Sequence, residues 1–153
     1  MSKTNESKII LVDFDGTCVK HDFPRIGDDV PGAVETLRAL VREGHKIILW
    51  TVRSDLAEVE KTPNGIHSKG GNYLSQAEKW FSDREIPLYG VNELPGQKSW
   101  STSPKAHGEY CIDDRAVGCP LIRDPIDRHF VNWQSIRYHL ILEGLIRPRE
   151  LNQ

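Results

Sequence analysis

Short apolar runs alternate with amphipathic stretches in the first third of the chain. Residues 9–12 and 46–50 form two such runs, and their length and composition are typical of strands buried on both faces. Between them, after Pro31 and before Gly44, apolar residues recur at helical spacing: Val34, Leu37, Leu40 and Val41. A strand, a helix and a second strand within about forty residues form a βαβ unit. This order predicts a parallel sheet with a right-handed crossover.

The remainder of the chain continues the alternation of helices and strands. One helix is predicted from residue 73, and a last helix follows Asn132, a residue type that caps helix N-termini. Further short strands are predicted at residues 86–91, 110–112 and, at an edge, 121–122. We therefore predict an α/β fold: a single-domain, Rossmann-like three-layer sandwich with a central parallel sheet over residues 1–153, its core at about 8–146.

Two stretches interrupt this pattern. Residues 55–72 contain a short helical start followed by turn residues, and residues 94–105 are irregular throughout. Because the first stretch follows the second predicted strand, residues 60–72 are either a lid over a site at that strand's end or a plain connection.

Charge and composition narrow the class of protein. The chain has 20 basic and 22 acidic side chains and a net charge of −2. It therefore lacks the excess positive charge that would attract nucleic acids or anionic membranes. No apolar run is long enough to span a bilayer, and the polar first eight residues lack the apolar core of a signal peptide, so we expect a cytoplasmic protein. Assembly into a homo-oligomer is left open. Three cysteines without zinc-site spacing are expected to be reduced: Cys18, Cys111 and Cys119.

Two carboxylates follow the first predicted strand. Asp13 and Asp15 are separated by one residue, and Gly16 and Thr17 follow them. Alternate residues of a strand point the same way, so both carboxylates can project beyond its carboxyl end, where open α/β sheets bind ligands. Two like charges held close together require a cation or a shared proton. The pair therefore indicates a functional site rather than a simple Asp-Gly turn.

Polar residues also follow two later strands. Thr51 comes just after the second strand, where its hydroxyl and nearby backbone N–H groups, such as that of Val52, can bind phosphate oxygens. Arg53 is a candidate for a second anion contact. Asp113 and Asp114 follow the strand at residues 110–112, and carboxylate oxygens are the hard ligands that Mg²⁺ prefers.

The stretch from Asp13 to Thr17 resembles the first motif, DxDGT, of the haloacid dehalogenase (HAD) superfamily of phosphotransferases. Thr51, a lysine and the pair Asp113-Asp114 then follow in that superfamily's order, over roughly 100 of the 153 residues. Lys105, directly after a proline, matches the superfamily's lysine best, and Lys98 is the alternative. The resemblance implies that Thr51 and Lys105 steady the transferring phosphoryl group.

The resemblance also implies a Mg²⁺-dependent phosphatase that acts on a phosphorylated substrate. Asp13 would form an aspartyl phosphate, and Asp15 would act as general acid and base. Mg²⁺ would be held by Asp13, Asp113 and the backbone carbonyl of Asp15, with Asp114 as a water-mediated partner or the alternative ligand. An acid at position 15 favours phosphate-ester chemistry over carbon–halogen cleavage. The alternative function is a catalytically weak phosphate- or metal-binding regulatory module of the same fold.

The spacing of the motifs leaves no room for a separate cap domain. Residues 18–50, 33 in number, separate Thr17 from Thr51, and residues 52–104, 53 in number, separate Thr51 from Lys105. Predicted helices, strands and connections already occupy both intervals. A HAD-like, capless protein is therefore expected, and the substrate is a small molecule, a sugar phosphate or a macromolecule.

Overall fold

The structure is a computed structural model that describes residues 6–56, 70–126 and 128–148. Its elements in chain order are β1 (Ile9–Val12), α1 (Ala33–Arg42), β2 (Lys46–Leu49), β3 (Asp55–Leu56), β4 (Gly71–Asn72), α2 (Tyr73–Asp83), β5 (Gly90–Val91), β6 (Tyr110–Ile112), β7 (Leu121–Ile122), β8 (Phe130–Val131) and α3 (Trp133–Leu142). A short 3₁₀ turn, Gln97–Ser99, lies between β5 and β6. Residues 57–69 lie outside the described residues. The lid hypothesis for residues 60–72 therefore falls mostly on that part of the chain.

A four-stranded parallel sheet positions the rest of the molecule. Its strand order is β5-β2-β1-β6, and each neighbouring pair is parallel. The two apolar runs that predicted buried strands are β1 and β2, the central pair. The α/β class and the parallel sheet are therefore confirmed. Because all four strands run the same way, their carboxyl ends meet at one edge of the sheet.

All three helices pack on one face of this sheet. A single buried cluster joins Ile10 of β1 with Leu37 of α1, Phe81 of α2 and Leu140 of α3. The β1–α1–β2 and β2–α2–β5 crossovers step in the same direction across the sheet, and right-handed crossovers of that kind place both helices on the same face.

The opposite face is covered by irregular chain, which corrects the three-layer prediction. Leu11 and Ile48 on this face pack against Ala106, with Leu94 beside them. No α-helix of the described residues lies there. The crossover from β5 to β6 runs across this face, and its residues favour turns over helix: Pro95, Gly96 and Pro104.

Several predicted elements have different bounds or partners. The strand expected at 86–91 is reduced to Gly90–Val91. The predicted strand at 121–122 is present, but it pairs with Phe130–Val131 in a separate antiparallel hairpin instead of joining the main sheet. Asn132 caps α3 as predicted, accepting a hydrogen bond from the Ser135 N–H at 3.2 Å. Among the described helices, none has the length and apolar character needed to cross a bilayer.

The segment after β1 folds back over the carboxyl end of that strand. Single β-bridges join Val19 to Asp15 and to Asp29, and the Val19 side chain is fully buried. This return places the loop that contains His21 and Phe23 above the sheet edge where β1, β2 and β6 end.

Candidate active site

A cavity of about 710 Å³ lies at the carboxyl edge of the parallel sheet. Most of the residues predicted from the sequence line it: Asp13, Asp15, Thr51, Val52, Arg53 and Asp113. The structure therefore brings the ends of β1, β2 and β6 together around one space, as the strand-end pattern predicted. Asp114 lies behind the cavity wall with only 2% of its side chain exposed.

A hydrogen-bonded chain links the first and last predicted motifs. The buried Thr17 hydroxyl donates to Asp13 Oδ2 at 2.8 Å and accepts a hydrogen bond from the Asp114 N–H at 3.2 Å. The Nε2 atom of His21 lies 2.8 Å from Asp114 Oδ2. Thr17 thus fixes the orientation of Asp13, and His21 fixes that of Asp114.

Three carboxylates form a cluster suited to a divalent cation. Asp13, Asp113 and Asp114 each place one oxygen within 4.8 Å of the others. Asp114 Oδ1 is buried and has no hydrogen-bond partner among the described residues. A buried carboxylate oxygen without a partner, beside two further carboxylates, is unfavourable unless a cation binds there or a proton is shared within the cluster. Oxygen donors of this kind suit Mg²⁺, so the residues fit the ion that the sequence predicted.

Burial and the charge of Asp113 raise the pKa of Asp13 from its ordinary 3.8 to about 8. The hydrogen bond from Thr17 lowers the pKa of Asp13, but its effect is smaller than those of burial and Asp113. In the absence of a cation, Asp13 therefore holds a proton at neutral pH. A nucleophilic carboxylate at this position requires a nearby positive charge to displace that proton.

Arg53 is the partner of Asp15. Its Nε and Nη2 groups donate to the two oxygens of Asp15, each at 2.7 Å. Its remaining N–H groups reach three backbone carbonyls, those of Pro24, Arg25 and, at 3.5 Å, Tyr73. The Arg53 side chain is fully buried. Since all five donors have protein acceptors, we replace the predicted role of Arg53 as a substrate contact with that of a clamp on Asp15.

The Thr51 loop is held by a residue that the sequence analysis did not single out. The Thr51 N–H donates to Asn92 Oδ1 at 2.8 Å, and the Thr51 hydroxyl accepts from the Arg53 N–H at 3.1 Å. Asn92 has a φ of +56°, a left-handed conformation that Asn adopts more readily than most residues. The next residue in this loop, Val52, points its side chain fully into solvent at the cavity mouth.

The two candidate lysines lie in different places. The Lys105 backbone is fixed by buried Gln97, whose Nε2 donates to the Lys105 carbonyl at 2.8 Å. The preceding Pro104 lines the main cavity, whereas Lys98 lines a separate cavity of about 160 Å³. Lys105 itself is not among the residues that line the main cavity, and its role as the phosphate lysine stays a prediction.

His21 and Asn92 were missed for different reasons. Asn92 directly follows β5, so the rule that found Thr51 and Asp113 would also have found it. His21 lies in a polar loop without periodicity, and only the folding-back of that loop brings it to Asp114. Its nearness in sequence to Thr17 was the single available signal.

Replacing Gly16 with alanine is expected to disrupt the site. Gly16 has a φ of +84°, and an added Cβ would overlap His21 Nε2 and Asp114 Oδ2. We expect Gly16→Ala to lower the free energy of unfolding by about 3 kcal/mol, measured by urea denaturation. Gly44→Ala is the matched control, because Gly44 has a φ of +91° but open space around it, and should lose only about 1 kcal/mol. Equal losses would show that the contact with His21 and Asp114 is unimportant.

Binding of Mg²⁺ is expected to release a proton. Because the pKa of Asp13 is raised to about 8 and the metal binds the carboxylate, the apparent affinity should rise about tenfold per pH unit below pH 8 and then level off. Calorimetric titration with MgCl₂ at pH 7, in two buffers of different ionisation enthalpy, measures the released proton directly. An affinity that is constant between pH 6 and pH 9 would contradict this expectation.

No protein-family model and no curated protein sequence matches the chain. Among solved structures, the chain is similar to a conserved protein from Bacteroides thetaiotaomicron, with 34% sequence identity and a TM-score of 0.65. The match covers 91% of this chain and 93% of that chain. The likeness therefore extends over nearly the whole length of both proteins. The chain belongs to the same protein family as this conserved Bacteroides thetaiotaomicron protein.

Proposed function

We propose that this protein is a Mg²⁺-dependent phosphatase of the HAD type that cleaves a phosphate monoester through an aspartyl phosphate on Asp13. The observation that carries the proposal is the cluster of Asp13, Asp113 and Asp114, with its unpartnered buried oxygen, beside a fourth carboxylate, Asp15, that is held rigidly in place. The DxDGT resemblance supports the same chemistry.

The nucleophile in this proposal is Asp13. Its carboxylate oxygen forms a bond to phosphorus while the bond between phosphorus and the ester oxygen breaks in line with it. The Thr17 hydroxyl, 2.8 Å from Asp13 Oδ2, holds one oxygen so that the carboxylate has a defined orientation. Asp13, Asp113 and Asp114 would hold Mg²⁺, which when bound neutralises negative charge on the carboxylates and on the phosphate.

Asp15 acts as the acid and then as the base. In its protonated form Asp15 gives its proton to the departing ester oxygen, and it regains a proton from the water that attacks the aspartyl phosphate. That second attack forms a bond between the water oxygen and phosphorus, breaks the bond to Asp13 and releases phosphate. The two 2.7 Å hydrogen bonds from Arg53 fix the position of Asp15 for both steps.

Hydrolysis of phenyl phosphate tests the proposal. We expect turnover with Mg²⁺, none with EDTA, and recovery when Mg²⁺ is restored. Asp15→Asn should lower turnover by about 10² to 10⁴-fold, the usual contribution of a general acid or base. Tight Mg²⁺ binding without turnover of phenyl phosphate or of larger phosphate esters would instead favour the binding-module alternative.

A further inference from the structure

We propose that Arg115 and Arg128 bind a second anionic group, carried by the leaving portion of a small phosphate monoester. This inference rests on the proposed function and specifies the class of substrate. Both arginines line the same cavity as Asp13 and Asp15. Arg115 lies three residues after the end of β6, and Arg128 lies in the connection between β7 and β8.

The cavity is larger than a phosphoryl group requires. Its volume of about 710 Å³ falls within the range of roughly 300–1,000 Å³ that small-molecule sites occupy. The space can therefore hold the leaving portion of a small substrate together with its phosphate.

The topology places the two ends of this space on opposite sides of Asp13. Thr51 follows β2 and Arg115 follows β6, and these strands flank β1 on either side. With adjacent strands about 4.8 Å apart, a ligand that reaches from Thr51 to Arg115 spans roughly 10 Å. That distance exceeds the size of a phosphoryl group, so a ligand contacting both residues must extend beyond its phosphate.

Among the described residues that line the cavity, no carboxylate is left to serve as a counter-ion for these two arginines. Asp15 is already paired with Arg53, Asp114 lies against His21, and a divalent cation would offset the charge of Asp13 and Asp113. Among the described residues, no acidic side chain forms an ion pair with Arg115 or Arg128. Four other arginines do have acidic partners in this structure: Arg25, Arg53, Arg84 and Arg147.

The Arg115 backbone is held at the site. Its N–H donates to Asp113 Oδ1 at 2.9 Å, which fixes the start of the guanidinium-bearing side chain beside the carboxylate cluster. A planar guanidinium binds carboxylate or phosphate oxygens in a two-pronged geometry that a single ammonium cannot reproduce. Trp50 and Phe23 also line the cavity and offer aromatic surface to a ligand. The preferred leaving portion therefore combines an apolar body with a carboxylate or a second phosphate.

Binding of two uncleavable phosphonates tests this inference without depending on turnover. Benzylphosphonate carries only the phosphoryl mimic, and 4-carboxybenzylphosphonate adds one carboxylate. We expect the wild-type protein with Mg²⁺ to bind the carboxylated compound about tenfold more tightly, measured by calorimetry. Arg115→Gln and Arg128→Gln should each reduce that preference at least threefold and leave the affinity for benzylphosphonate within a factor of two.

Arg123→Gln is the matched control, because Arg123 is exposed and does not line the cavity, and it should keep the full preference. Equal binding of the two phosphonates by the wild type would overturn the inference, and so would failure of both to bind. Equal weakening of both compounds in the arginine variants would also overturn it, since the arginines would then hold the phosphoryl group. A retained preference without any hydrolysis of phenyl phosphate would refute the proposed function while leaving the second anion site supported.

Discussion

Asp13→Asn should abolish hydrolysis of phenyl phosphate, with a loss of at least about 10⁴-fold. An amide is a poor nucleophile toward phosphorus, and it also removes one of the three carboxylates of the proposed metal cluster. The loss should therefore appear in the catalytic constant and persist at saturating substrate and Mg²⁺. Residual turnover within tenfold of the wild type would exclude Asp13 as the nucleophile.

The same variant should be more stable than the wild type when Mg²⁺ is absent. Burial and Asp113 raise the pKa of Asp13 from 3.8 to about 8, so the unfolded chain ionises this group at a lower pH than the folded protein. The metal-free wild type therefore loses stability as the pH rises from about 4 towards 8, and the amide avoids this loss. We expect the melting temperature at pH 8 to rise by about 5 °C and the stabilisation by Mg²⁺ to disappear.

Asp28→Asn is the control for this effect of the charge. Asp28 is exposed and lies outside the cavity lining, so its replacement should change neither the melting temperature nor the response to Mg²⁺. A melting temperature of Asp13→Asn that equals or falls below that of the wild type at pH 8 would show that the carboxylate cluster carries no electrostatic strain.

Arg53→Lys should lower both the turnover of phenyl phosphate and the stability of the protein. A lysine keeps the charge but cannot donate to both oxygens of Asp15 and also reach the carbonyls of Pro24 and Arg25. Disturbing an ion pair whose arginine is fully buried leaves polar groups without partners, at a cost of about 3 kcal/mol in the free energy of unfolding. Turnover of phenyl phosphate should fall at least about 100-fold because Asp15 loses its fixed position.

Arg84→Lys provides a matched comparison. Arg84 donates to both oxygens of Asp29, each at 3.0 Å, and its guanidinium lies 4.4 Å from the centre of the Trp80 ring. This pair is partly exposed and outside the cavity, so its conservative replacement should cost about 1 kcal/mol or less and leave turnover unchanged.

The choice of substrate separates a positioning role of Arg53 from a purely structural one. The nitrophenolate of 4-nitrophenyl phosphate departs without a proton, whereas phenyl phosphate depends on protonation by Asp15. Arg53→Lys should therefore reduce turnover of phenyl phosphate several-fold more than that of 4-nitrophenyl phosphate. Equal reductions for both substrates would assign Arg53 to the stability of the fold alone.

Much of the sheet and of the site follows from local sequence patterns. The apolar runs at β1 and β2 are short and bounded by polar residues, and this pattern is typical of buried strands. Asp13, Thr51 and Asp113 could be placed together because parallel strands bring their carboxyl ends to one edge. These predictions use only the direction of the chain and the alternation of side chains along a strand.

The remaining features depend on long-range contacts that no local pattern encodes. Arg53 was expected to face an anionic ligand, yet its side chain turns towards Asp15, 38 residues earlier in the chain. His21 meets Asp114 across 93 residues, and only the folding-back of its loop creates that contact. A third layer of helices was predicted from the α/β class, whereas Leu94 and Ala106 of an irregular stretch without an α-helix cover that face.

Chemical trapping of the covalent intermediate tests the central proposal most directly. The protein is mixed with phenyl phosphate and Mg²⁺, quenched in the steady state, and reduced with borohydride, which converts an aspartyl phosphate to homoserine. Peptide mass spectrometry should then find homoserine at position 13 in the wild type, and none in a sample prepared with EDTA. Continued hydrolysis of phenyl phosphate with no homoserine at position 13, or with homoserine at another aspartate, would contradict the assignment of Asp13 as the nucleophile.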